Sequence, residues 1–264
     1  MSSSPAIHAV RLPLAAWNAA CRRVGGDEAP LTDADVTALV ASGLAGEDGV
    51  VKERWAGLIA SYLDAPSSVR ASATYENLLY RASLALGQAS ICVLERFTTR
   101  ADDQGGVETI QRDDDLEISV TTGHPWTLLR RVLPPLDNLR ASSRQTAPGN
   151  AAPVSVPEPI LAWAQEQCRT HPADQVLEAL QRRSSGRLHD LLQADDASVS
   201  YVWTTQTSRG PHLGLAWYLA SPDHLFRATF SDDHPFEEVN PGDLAFTFDW
   251  HLLGALDALA APAA

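Results

Sequence analysis

Residues 232–238 read Asp-Asp-His-Pro-Phe-Glu-Glu, and Asp232, Asp233, His234, Glu237 and Glu238 form the densest group of prospective metal ligands in the chain. Several carboxylates on one loop suit a hard cation, which would make this the metal site of a hydrolase. The plainer reading, a solvated turn after a strand held by Pro235, is preferred. Cys168 and His171 have the spacing of half a zinc site, but no second pair stands at a suitable distance, so a buried thiol and a helix-starting histidine are expected. His189 and Asp190 lie near Ser184 and Ser185, which supplies the letters of a catalytic triad without the Gly-x-Ser-x-Gly elbow. Gly25-Gly26-Asp27-Glu28 imitates a signature of cyclic-dinucleotide synthesis, yet it stands near the start, between two short helices. That motif belongs on a hairpin deep inside a domain of roughly 150 residues or more. No glycine loop for phosphate is present. No catalytic, cofactor or metal residue is therefore assigned, and no cofactor is expected.

The elements around these residues follow from periodicity. Leu14, Trp17, Cys21 and Val24 mark a helix; Thr32 caps a second, with Asp35 as its capping-box partner; Val51, Trp55, Leu58 and Tyr62 mark a third. At Val69 the period falls to 2, predicting strands at 69–75, 78–86, 91–97, 107–111 and 116–121. A polar turn or loop is expected at 100–106. A helix carries Trp126, Leu129, Val132 and Leu133 and stops at Pro134-Pro135. Residues 138–156 hold almost no apolar anchors and read as a flexible linker. Beyond it, helices are expected around Ile160–Cys168 positions and from His171-Pro172; Leu188, Leu191 and Leu192 fit either helix or strand. Strands at 199–205, 213–219 and 224–230 follow, the second an alternation of Leu213, Leu215, Trp217 and Leu219 with His212, Gly214, Ala216 and Tyr218. Asn240-Pro241-Gly242-Asp243 reads as a helix start, and the tail 257–264 as frayed. Two halves result, 1–137 and 157–264, each running helices, meander, helix. Paired across a pseudo-twofold axis, they would form one mixed α+β fold with a continuous, mostly antiparallel sheet and helices packed on it.

Composition narrows the function. The chain has 264 residues, 45% of them hydrophobic, and a formal net charge of −13. That charge disfavours nucleic acid and anionic membrane surfaces as partners. No apolar run approaches the roughly 20 residues that span a bilayer. The opening Met-Ser-Ser-Ser-Pro-Ala-Ile does not look like a secretion signal. Three scattered cysteines fit a reducing, cytoplasmic location. Of seven tryptophans, Trp203 and Trp250 have polar neighbours and suit interface anchors.

The segment Val-Thr-Ala-Leu-Val-Ala-Ser-Gly-Leu at 36–44, the Gly-Glu-Asp-Gly-Val-Val turn after it, the helix ending Leu133-Pro134-Pro135 and the hairpin around Ser208-Arg209-Gly210-Pro211-His212-Leu213 resemble the EspG family, cytosolic chaperones of actinobacterial type VII (ESX) secretion. The resemblance runs from about residue 14 to 256. It implies a quasi-twofold sheet with helical bundles and no catalytic residues. It also implies binding of a PE–PPE heterodimer at the apolar tip of the PPE protein. A strand loop and the C-terminal helical region would grip that cargo, here 100–106 and the region from Asn240 onward. The candidate contacts are Arg100, Asp102, Asp103, Trp203, Phe248 and Trp250. Two other readings stand beside it: a metal-dependent enzyme at Asp232–Glu238 positions, and a structural or regulatory dimerisation module. The chain itself is expected to be a monomer or homodimer.

Overall fold

The change from helical to strand periodicity at Val69 happens twice in the molecule, once in each half. The computed structural model describes residues 7–27, 29–101, 107–142, 152–194, 196–208, 210–231 and 235–260. Among them the first half runs β1 (His8–Pro13), α1 (Leu14–Val24), α2 (Asp33–Ala41), α3 (Glu53–Leu63), β2 (Ser67–Tyr75), β3 (Leu78–Leu86), β4 (Ser90–Ala101), β5 (Val107–Arg112), β6 (Asp115–Thr121) and α4 (Trp126–Val132). After α5 (Asp137–Arg140) the second half runs β7 (Ala152–Val154), α6 (Glu158–Gln167), α7 (Ala173–Arg183), α8 (Arg187–Gln193), β8 (Ala197–Thr207), β9 (Gly210–Ala220), β10 (Leu225–Ala228), β11 (Phe236–Glu238) and α9 (Asp243–Ala260). The sheet order is β1-β6-β4-β3-β2-β8-β9-β10-β11-β7, with β5 paired to β4, and every pairing is antiparallel. Read outward from the central β2–β8 pair, both halves follow one plan: a meander, then an edge strand contributed by the residues before the three helices. This is the quasi-twofold mixed α+β fold.

The sheet has two covered faces. On the first, β2, β8 and β9 present Val69, Ala71, Ala73, Tyr201, Trp203, Ala216 and Tyr218 to α4 and α9. Small residues opposite large ones let α9 approach closely: a Cβ on Gly214 would sit 2.8 Å from the His251 ring. Phe248 fills the gap between Trp126, Tyr201 and Trp203, with ring centroids 4.9–6.2 Å apart. On the second face α1, α2 and α3 cover Ala85, Ile91, Val93, Leu116 and Ile118. The capping box is formed as expected, with Asp35 N donating to Thr32 Oγ1 (3.2 Å) and Thr32 N to Asp35 Oδ2 (3.0 Å). At the outer edge of the second half Leu188 and Leu191 of α8 pack on Phe226 and Val154.

Three differences from the sequence expectations have physical causes. The segment 138–156 is structured at both described ends. Leu139 is fully buried, and Asn138 Nδ2 donates to Ser221 O (2.7 Å) and His224 O (3.0 Å), tying α5 to the second half. Residues 152–154 form an edge strand; 143–151 lie outside the described residues. Asn138→Ala should therefore cost about 1–3 kcal/mol of stability in urea unfolding, because two carbonyls lose their donor. Strand β1 and strand β11 escaped periodicity because they are short and mostly exposed or half-buried. Helix α9 starts at Asp243, since Gly242 sits at φ 92°, outside helical conformation; it runs without break to Ala260. Residues 188–192 are helical.

Candidate partner-binding surface

Between its two helical groups the second sheet face is open. Two cross-strand ladders cross it. One runs Val93–Ser83–Arg70–Val202–Leu215 and the other Glu95–Arg81–Ser72–Ser200–Trp217. Opposed residues share a face, so the charged groups, Arg70, Arg81 and Glu95, lie on the first half, and Val202, Leu215 and Trp217 lie on the second beside Ser200. Val202 is 45% exposed, Leu213 64%, Leu215 50% and Trp217 38%. The alternation at 212–219 is that of a strand, but the structure turns its small set, Gly214 and Ala216, to the core and its large set to the open side. The close approach of α9 demands this. Trp217 is held in place, its Nε1 donating to Ser198 Oγ (3.0 Å) and its ring edge against Phe236 (5.3 Å). Contiguous apolar surface of this kind on a strand pair makes the strip a candidate interaction site.

A second apolar surface lies on the opposite side of the sheet. Phe246, Trp250, Leu253 and Leu256 line the outward stripe of α9, 44%, 67%, 59% and 54% exposed. Helix α9 is thus apolar on both its packed and its open sides.

The residues singled out as contacts are divided by the structure. Trp203 and Phe248 are fully buried, and Trp203 Nε1 donates to Ser67 Oγ (2.7 Å) and Thr205 Oγ1 (3.2 Å). These two are core residues, a correction to their reading as partner contacts; of the polar neighbours of Trp203, Thr204 points to the other face and Thr205 is buried with it. Trp250 is open to solvent. Arg100 is exposed and pairs with Glu108 of β5 at 2.8 Å. Asp102 and Asp103 lie outside the described residues.

The chemical clusters do not converge. Glu237 and Glu238 are successive strand residues, which point to opposite faces. Glu237 is taken by Arg227; Glu238 accepts from His224 Nδ1 (2.9 Å) and Arg187 Nε (3.2 Å). Asp232, Asp233 and His234 lie outside the described residues. Among the described residues no three His, Cys, Asp or Glu side chains gather to hold a metal ion. His189 Nδ1 bonds Gln181 O (3.0 Å), Cys168 is exposed, a correction to its expected burial, and Asp27 accepts from Ala29 N at a helix end.

Sequence reasoning missed a polar network that anchors α9. Tyr218 donates to Asp243 Oδ2 (2.8 Å), and Arg227 Nη1 reaches the same carboxylate (3.0 Å) while pairing with Glu237. Burial pushes both the Tyr218 and Tyr201 phenols well up, so both stay protonated, and Tyr201 Oη shares a hydrogen bond with His251 Nδ1, 2.8 Å away. Burial, and then the nearby His212, hold the His251 pKa below its ordinary 6.5. The unfolded chain therefore takes up that proton first as pH falls. The His251 contribution to stability is complete above about pH 6.5 and fades as pH drops through the lowered folded-state value. Melting temperature should fall as pH drops below about 6.5, and His251→Gln should flatten that part of the profile.

The doubled sheet and its helical groups form an EspG-like fold. The solved structure of EspG5 from Mycobacterium tuberculosis, a type VII secretion system chaperone in complex with a PE25–PPE41 dimer, matches with a TM-score of 0.55. The match has 13% identity and covers 96% of this chain and 97% of that one. At that identity the likeness establishes the fold. No family model and no curated protein matches the sequence. Among the described residues no helix is long and apolar enough to cross a membrane.

Proposed function

We propose that this chain is a cytoplasmic chaperone or adaptor of a type VII (ESX) secretion system. It holds a PE–PPE heterodimer through the apolar tip of the PPE protein and does no covalent chemistry. The observation that carries this reading is the open strip of Val202, Leu213, Leu215 and Trp217, seated between two helical groups on a fold shared with a chaperone solved with such a dimer. Covering an apolar tip with an apolar strip removes both from water at about 25 cal/mol per Å². A net charge of −13 keeps the loaded complex dispersed. The halves 1–137 and 157–264 act as two pseudo-repeats of one body, since separating them would expose the nine-residue edges of β2 and β8. Arg100, on the β4–β5 hairpin, is a secondary contact in this reading; Trp250 belongs to the opposite face.

Co-expression with PE–PPE pairs from the same genome tests the proposal. A 1:1:1 complex by size exclusion with light scattering is expected for at least one pair. Retention of none by a folded chain refutes it.

A further inference from the structure

The two ladders of the open face continue from the apolar strip into a groove of about 490 Å³ beneath α1 and α3. Trp17 and Tyr62 form its wall. Its floor carries two guanidinium groups and the hydroxyls of Ser72, Ser83 and Ser200. Arg70 stands opposite Ser83 and Val202, and Arg81 opposite Ser72 and Glu95. The two arginines are diagonal neighbours on adjacent strands, about 7–8 Å apart at the backbone. Both are exposed. Among the described residues the arginine–carboxylate pairs within 4.0 Å involve other arginines: Glu95, the acid that lines this groove, is taken by Arg112. Arg81 is positioned without being neutralised, its guanidinium 4.8 Å from the centroid of the Phe97 ring.

In a chain of net charge −13, two neighbouring arginines in a concave site, neither within 4.0 Å of a carboxylate among the described residues, are an arrangement that an anion would stabilise. The apolar strip begins one strand away, at Val202. An occupant of both must be a polymer with apolar and acidic groups a few residues apart. We infer that the groove receives an acidic segment of a partner polypeptide, with Asp or Glu carboxylates on Arg70 and Arg81 while adjacent apolar side chains cover Leu215 and Trp217. This rests on the proposal that the open face receives a polypeptide. It does not depend on that polypeptide being a PE–PPE pair.

Two fluorescein-labelled peptides test it by anisotropy: four Ser-Leu-Glu repeats, and the same peptide with Gln for Glu. The Glu peptide is expected to bind at least about tenfold tighter at low salt, the margin shrinking as salt screens it. Arg70→Gln should remove about tenfold of that affinity, and Arg70→Gln with Arg81→Gln the whole preference. Among the described residues Arg70 makes no ion pair within 4.0 Å, so the single variant should melt with the parent. Equal binding of the two peptides, no binding of either, or undiminished Glu-peptide affinity in folded Arg70→Gln overturns the inference. A chain that keeps the preference but retains no PE–PPE pair refutes the proposed function and leaves the groove standing. A chain that retains a pair without the preference does the reverse.

Discussion

Trp203→Ala is expected to lower the free energy of unfolding by about 3–5 kcal/mol, the largest loss foreseen for a single substitution here. Its indole is fully buried at the β2–β8 seam, 4.9 Å from the Phe248 ring. Alanine would leave a cavity beneath α9 that the two long central strands cannot collapse to fill. Trp203→Phe keeps most of the volume and loses the indole N–H. Because Ser67 Oγ and Thr205 Oγ1 lie 2.9 Å apart and can bond each other, that change should cost only about 1–2 kcal/mol. Trp250→Ala, at 67% exposed, should stay within about 0.5 kcal/mol. Urea unfolding of the three variants checks the order. Equal losses at 203 and 250 would contradict the assignment of Trp203 to the core.

Leu215→Asp should abolish cargo retention, weakening binding by at least about 30-fold, the usual effect of losing a central interface anchor worth about 2 kcal/mol. The substitution puts a charge where an apolar partner surface must be desolvated. Stability should change by less than about 1 kcal/mol, since Leu215 is 50% exposed on the open stretch of the sheet between the helical groups. Pull-down of the co-expressed complex, alongside a thermal melt, separates the two effects. A folded Leu215→Asp chain that retains cargo normally would remove the strip from the interface.

Much of the fold was legible because each element obeyed a local rule. The Thr32–Asp35 box, the period change at Val69 and the proline stop after Leu133 all point to the structure found. What escaped depended on contacts distant in sequence. Strands β1 and β7 are edge strands made by pairing with β6 and β11, and a three-residue strand has no period. Alternation at 212–219 specifies a strand but not which set faces inward; His251 resting on Gly214 decides that. For the same reason Trp203, with polar neighbours, looked like a contact although Thr204 faces the other side of the strand and Thr205 is buried beside Trp203 as its hydrogen-bond acceptor. Trp217, with its regular apolar spacing, is the tryptophan on the open side. Asn138 looked like linker because its partners, Ser221 O and His224 O, are backbone groups invisible in composition.

Hydroxyl-radical footprinting of the chain alone and in its co-purified complex tests the central claim, that the sheet face between the helical groups is where a partner polypeptide sits. Oxidation of Leu213, Leu215 and Trp217 should fall sharply in the complex while Trp250 and Leu253 on the far side keep their reactivity. Protection confined to Trp250 and Leu253, with Trp217 still reactive, would contradict it.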